Sequence, residues 1–223
     1  MIQIDRITLR EIRLPLVEPF RTVSGLVTER RILLLELADG DGTTTWSECV
    51  AESLPGYSPD TIDTCWLAIS EWFGPRVLGR AFASPTQVDP VLALDVRGHR
   101  MARAAVEMGA WALAATRNGL SLAAQLVEAS ALARERPVVP RAHVETGVAL
   151  GMATSPDALV ERSREALAAG YQRIKIKIKP GWDVNAVERI LPLSWYSTPG
   201  SSDITSDSSP VRQSFFARSR RPD

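Results

Sequence analysis

The sequence predicts an α+β unit that gives way to parallel βα pairs. Its parts are a small sheet with helices over residues 1–136, two strand–helix pairs over 137–191, and a low-complexity tail over 192–223. Three observations carry this reading. Apolar and charged residues alternate near the N-terminus on either side of an Asp-Gly-Asp-Gly turn. Capped helical periods follow. From about Arg141, strands and helices alternate with short connections.

Residues 2–14 place Ile2, Ile4, Ile7 and Leu9 among charges at strand spacing. Pro15 and Pro19 predict a turn-like stretch leading into Phe20-Arg21-Thr22. A second strand is expected from Glu29 to Leu37, and a third from Thr43 to Val50. Asp39-Gly40-Asp41-Gly42 between them supplies positive-φ residues for a tight hairpin, so the three strands form an antiparallel meander. Ser58-Pro59 predicts a capped helix start running to about Phe73. His99 to Thr116 carries Met101, Ala105, Met108 and Leu113 near helical spacing and stops at Asn118-Gly119. Ser121 to Ala133, rich in Ala and Leu, extends the helical run.

The second part starts with a buried strand, His143–Leu150, ended by Gly151. Ser155-Pro156-Asp157 opens a helix that Gly170 stops after Ala169. Tyr171–Ile178 is a second strand, Pro180-Gly181 a turn, and Asp183–Leu191 a second helix. Periodicity then ends abruptly. Residues 192–223 hold nine Ser, four Pro and four Arg with neither strand nor helix spacing, a composition that predicts disorder.

Composition narrows the function classes. The formal net charge is zero, so no strong field draws in nucleic acid or an anionic membrane surface. The alternating N-terminus has no apolar core of a signal peptide, and Ile32–Leu35 is far too short to span a bilayer. Cys49 and Cys65 form no CxxC pair and are expected as core residues of a cytoplasmic protein. His99 and His143 are the sole histidines and lie in different elements, which argues against a His-built metal site. Gly40 and Gly42 sit in a hairpin and open no helix, so they make no phosphate loop. Arg218-Ser219-Arg220-Arg221 is expected to be a solvated terminus.

Of 26 cationic side chains only three are lysines, Lys175, Lys177 and Lys179, at alternate positions of Arg173-Ile174-Lys175-Ile176-Lys177-Ile178-Lys179-Pro180-Gly181. Arginine serves wherever a positive charge alone is needed, so the cluster points to a need for an amine, the group able to shed its proton near neutral pH. Strand alternation puts Lys175 and Lys177 on one face and the isoleucines on the other. Two arrangements follow. The isoleucines turn inward and the lysines meet water, or the isoleucines pack outward under helices and the lysines line a hollow. In the hollow, desolvation and mutual repulsion make Lys177 a usable base. The βα pattern on either side favours the second, because parallel strands are normally covered on both faces.

Gly170-Tyr171-Gln172 with the Ile/Lys run and Trp182-Asp183-Val184 resembles the second barrel strand of the enolase superfamily, in its o-succinylbenzoate synthase / N-acylamino acid racemase group. Other matches keep order and spacing: Pro19-Phe20-Arg21-Thr22, Trp46-Ser47-Glu48-Cys49-Val50, Gly98-His99-Arg100-Met101-Ala102 with Glu107-Met108, and Gly147-Val148-Ala149-Leu150-Gly151. The resemblance covers roughly residues 1–190. It implies a capping domain over 1–136 and, over 137–191, the first two βα units of an incomplete TIM-type barrel. It further implies proton abstraction α to a carboxylate with a divalent metal, usually Mg2+. Lys177 would be one acid/base and Lys175 its electrostatic support, while Phe20 and Tyr57 would close over a small-molecule carboxylate substrate. The synthase reaction dehydrates a cyclohexadiene carboxylate to o-succinylbenzoate on the menaquinone route; relatives racemise N-acyl or N-succinyl amino acids.

The resemblance also places the three carboxylate metal ligands and the opposing lysine on later barrel strands, and it stops near Val187–Ile190. No metal ligand is assigned within this chain. Trp111-Ala112 stands where relatives often have Trp-Asp. The expectation is a C-terminally truncated member, its tail read out of frame, inactive as a lone catalyst. Two alternatives stand beside it: a non-catalytic α+β binding or assembly module, and one half of a split enzyme. Homo-oligomerisation is left open.

Overall fold

The computed structural model describes residues 1–22, 25–56, 58–134, 139, 142–177, 183–191 and 193. The predicted disordered tail lies outside them, apart from Leu193. After β1 (Ile2–Gln3), the chain builds a three-stranded antiparallel meander from β2 (Arg6–Thr22), β3 (Gly25–Ala38) and β4 (Thr44–Cys49). The strands pair with Leu9 opposite Leu35 and Leu35 opposite Ser47.

β2 and β3 are longer than the alternation predicts. Pro15 and Pro19 do not end β2; the register shifts between Pro15 and Phe20, and pairing resumes with Phe20 opposite Val27. Proline is tolerated there because β2 is an edge strand, whose residues need not all donate to a ladder. The result is a hairpin that projects beyond the meander. At the other end of β3, Asp39 accepts backbone hydrogen bonds from Asp41 (3.0 Å) and Thr43 (2.8 Å), which forms the predicted tight turn into β4.

The first predicted helix starts later than Ser58. Its N-cap is Thr61, which shares a reciprocal capping box with Thr64. Ser58 instead donates to the Asp60 carbonyl at 3.2 Å. The helix runs as α1 (Ile62–Ala68), passes through a π-helical turn at Ile69–Phe73, and ends as α2 (Gly74–Val77). Next come β5 (Ala81–Phe82), which pairs antiparallel with β1, and α3 (Val88–Ala93). Neither carries a periodic signal, being only two and six residues long.

α4 (Arg100–Arg117) lies across the meander, and α5 (Leu122–Arg134) follows it. The buried face of α4 is built from small residues: Ala102, Ala105, Gly109 and Ala110. They let the helix approach closely enough for Ser47 to donate to the Ala105 carbonyl at 2.7 Å. Leu33, Leu35 and Leu37 of β3 fill the interior with Ile4, Ile62, Phe73, Leu92, Val106 and Leu113. Burying this set of aliphatic side chains is the main stabilising term, at roughly 1.5–3 kcal/mol for each large side chain. Arg31 ties the hairpin to α1, holding Glu11 and Asp63 at 2.7 Å each; its guanidinium keeps both carboxyls below their ordinary range.

The predicted βαβα order also appears. β6 (Gly147–Leu150) pairs parallel with β7 (Arg173–Ile176), and α6 (Pro156–Ala168) connects them, with α7 (Asp183–Ile190) following. Ser155 caps α6 by accepting from the Ala158 N–H at 3.1 Å. Gly170, at φ +92, closes the helix with its own N–H on Leu167 and that of Tyr171 on Ala166, a left-handed termination that suits glycine. Leu150, Leu159 and Ala186 form a second, smaller core, against which Val148, Ile174, Ile176 and Ile190 pack. No described helix is long and apolar enough to cross a membrane.

Candidate functional site

The second core sets which side chains of the lysine strand face the helices. Ile174 and Ile176 pack with Leu159 of α6 and with Ala186 and Ile190 of α7. Lys175 therefore leaves β7 on the face away from those helices, paired across the sheet with Ala149, and is exposed. The aliphatic side chains are the ones beneath the helices, a packing common to both arrangements, and Lys175 meets water. Ile178 and Lys179 lie outside the described residues.

Lys177, one residue beyond β7, is half-buried. Its Nζ sits 5.7 Å from the centroid of the Phe20 ring, within the range of a cation–π contact. Phe20 belongs to the distal part of β2, past the register shift, and is also half-buried. The projecting hairpin thus carries an aromatic ring to the amine at the end of β7. A second contact accompanies it: Glu18, two residues earlier, meets Arg162 of α6 at 3.3 Å. Sequence reasoning missed that pair, and no local signal could have found it, since 144 positions separate the partners.

Tyr57 lies outside the described residues. The residues after it are fastened to the start of α4. Asp60 accepts from the Met101 N–H at 3.2 Å, and Ser58 lies 3.9 Å from the Met101 sulfur. His99, the N-cap of α4, holds φ +47 and stacks edge-on against Trp72 at 4.9 Å. Its Nδ1 lies 3.9 Å from an Asp60 oxygen and makes no hydrogen bond.

Chemically, the meeting of Phe20 and Lys177 sets a primary amine beside an aromatic face. Lys175 adds positive charge on the same strand. The described residues include no cluster of three or more His, Cys, Asp or Glu side chains that could hold a metal ion. They do not fit the Mg2+ that the resemblance implies.

Residues 5–127 match the family "Mandelate racemase / muconate lactonizing enzyme, N-terminal domain". An o-succinylbenzoate synthase from Bacillus subtilis is 40% identical over 190 residues, covering 85% of this chain and 48% of that protein. An N-succinylamino acid racemase from Thermus thermophilus is 37% identical over 188 residues, covering 84% of this chain and 47% of its own length. Among solved structures, an enolase-superfamily member from Listeria innocua superposes with a TM-score of 0.75 at 26% identity, over 85% of this chain and 48% of that one. The chain spans about half the length of the curated relatives it matches.

Proposed function

The chain belongs to the mandelate racemase / muconate lactonizing enzyme N-terminal domain family of the enolase superfamily, and from that premise we propose that it carries one side of an o-succinylbenzoate synthase or N-succinylamino acid racemase site. Residues 1–136 form the cap, and residues 137–191 begin a TIM-type barrel. Lys177 is the acid/base: its Nζ takes a proton from, or returns it to, the carbon α to a substrate carboxylate. Phe20 closes over the substrate from the cap hairpin and keeps water from the amine. Lys175 favours the anionic form that proton removal creates. Tyr57 is a second closing residue.

The observation that carries this reading is the Lys177 Nζ at 5.7 Å from the Phe20 ring. A ring of the cap hairpin and an amine of the βα strand, 157 positions apart, come together at the place where the cap meets the barrel strand. The isoleucines under α6 and α7 supply the second support, because they free the opposite face for the lysines.

Proton removal creates enediolate charge, for which Mg2+ would supply a counter-charge in such enzymes. That charge calls for fixed, preorganised positive charge, which is usually the largest catalytic contribution. Two lysines at one strand end supply part of it. The opposing base and the remaining charge are expected from residues other than those described, so the 223-residue chain alone is expected not to turn over.

The test joins residues 1–190 to the part of the Bacillus subtilis synthase that this chain does not match, and assays o-succinylbenzoate formation and N-succinyl amino acid racemisation with Mg2+. Activity in the chimera, absent from the chain alone and lost with Lys177→Ala, is the expected result. A folded chimera without either activity would remove the reading. Turnover by the unaided chain, lost with Lys177→Ala, would overturn the expectation that it needs a complement.

A further inference from the structure

The β2–β3–β4 meander has two faces, and α4 covers one of them. Leu33, Leu35 and Leu37 lie on that face and are wholly buried, while Thr45 and Ser47 of β4 donate to the Gly109 and Ala105 carbonyls of the helix. The alternate residues of each strand point the other way. The strand register sets them in rows across the sheet. Thr8, Glu36 and Trp46 form one row and Arg10, Leu34 and Glu48 the next. Ile12 and Ile32 form a third, and Val50, just past β4, lies at its end.

This outer face is apolar where a surface is normally polar. Trp46 is 50% exposed and Val50 63%, and Ile12, Ile32 and Leu34 are half-buried. An apolar patch rimmed by charge marks an interaction surface. Its charges are divided between the two edges of the sheet. Arg10 of β2 holds Glu36 at 2.9 Å and lies over the Trp46 ring, 5.8 Å from its centroid. Glu48 of β4 is exposed and makes no ion pair among the described residues.

We propose that this face is the interface of a homodimer, packed against the same face of a second copy about a two-fold axis that runs along β3. Charge complementarity selects that occupant and that axis. The axis exchanges the β2 and β4 sides of the facing sheet and keeps every row level. Arg10 of each copy then faces Glu48 of the other. Leu34 meets Leu34, Ile32 meets Ile32, and Ile12 meets Val50. Sheets packed in this way lie about 10 Å apart with their strands aligned. A two-fold axis across the strands, centred on Leu34, would instead oppose Arg10 to Arg10 and Glu48 to Glu48. None of these residues is assigned to the Phe20–Lys177 site, so the interface stands or falls independently of the proposed chemistry.

Sedimentation velocity of the full chain across a dilution series tests the proposal. The expected species is a reversible dimer of the 24.4 kDa chain. Glu48→Arg places two like-charge contacts in that dimer and should weaken it at least ~100-fold; Arg10→Glu should do the same. Circular dichroism should show both variants folded, because both side chains are exposed. Mixed in equal amounts, the two variants should associate with each other, since both charged contacts of the heterodimer again join opposite signs. Leu34→Asp, on the axis, should abolish association; if that variant does not fold, the mixing result decides alone. A chain that stays monomeric at every concentration would overturn the proposal, whether the face is bare or taken by another segment or another protein. So would a dimer that Glu48→Arg leaves unchanged, or two folded variants that form no heterodimer when mixed.

Discussion

Gly109 sits in the middle of α4, where glycine costs about 1 kcal/mol of helix stability relative to alanine. On an exposed helix, Gly109→Ala would therefore stabilise. Here a Cβ would stand 2.7 Å from Leu37 Cδ2 and 3.1 Å from its Cγ, with Cδ1 nearer still. Leu37 is wholly buried in β3, so its tip has no solvent to retreat into. Overpacking of this kind costs about 1–3 kcal/mol. Set against the propensity gain, Gly109→Ala should destabilise by about 1 kcal/mol, lowering Tm by about 2–4 °C in a chain of this size. Leu37→Ala alone should cost about 2–5 kcal/mol through the cavity it leaves. In that background the added methyl has room, and Gly109→Ala should turn neutral or stabilising. Thermal and urea unfolding of the four proteins in the cycle measure the coupling, expected at about 1–3 kcal/mol. Additive effects, or a stabilising Gly109→Ala in the parent chain, would refute the close helix–sheet contact from which the estimate is built.

Leu159→Ala should cost about 2–5 kcal/mol locally; amide exchange should quicken in α6, β6 and β7 while the α4 core keeps its protection, because Leu159 belongs to the smaller core. Burial alone would raise the Asp39 carboxyl, but the Thr43 N–H and the Arg117 guanidinium outweigh it and hold it below its ordinary value. A depressed carboxylate contributes stability above the unfolded value of about 3.9 that is lost as pH falls through the folded one. Asp39→Asn should therefore flatten the Tm–pH curve below about pH 4; an unchanged acid limb would contradict this. Glu18→Ala should change stability by less than about 1 kcal/mol and less again in salt, since the Glu18–Arg162 pair is exposed. A larger loss by urea unfolding would mean that the pair, rather than the hairpin strands, holds Phe20 in place.

The meander was legible because its physics is local: alternation sets which residues face α4, and Asp39 closes its own turn through Asp41 and Thr43. Ser58-Pro59 misled because a cap signature at the helix start competes with tertiary demand. Asp60 is recruited by the Met101 N–H, and the reciprocal Thr61–Thr64 pair takes the cap. Pro15 and Pro19 marked an irregularity correctly but implied a break, since proline's missing N–H is harmless on an edge strand and the sequence does not say which strand is the edge. At the candidate site, the lysine–isoleucine alternation was visible, whereas the choice of face depends on α6 and α7 packing over Ile174 and Ile176. The approach of Phe20 to Lys177 depends on the length of the hairpin beyond Pro15.

The most direct test of the Lys177 assignment is α-proton exchange. The chimera is incubated with an N-succinyl amino acid in D2O, and proton NMR follows loss of the α-proton signal. Exchange should fall at least ~100-fold with Lys177→Ala. Lys177→Arg should lose it equally, because guanidinium keeps its proton, and Lys175→Ala should lose less. Undiminished exchange in a folded Lys177→Ala chimera would contradict the account.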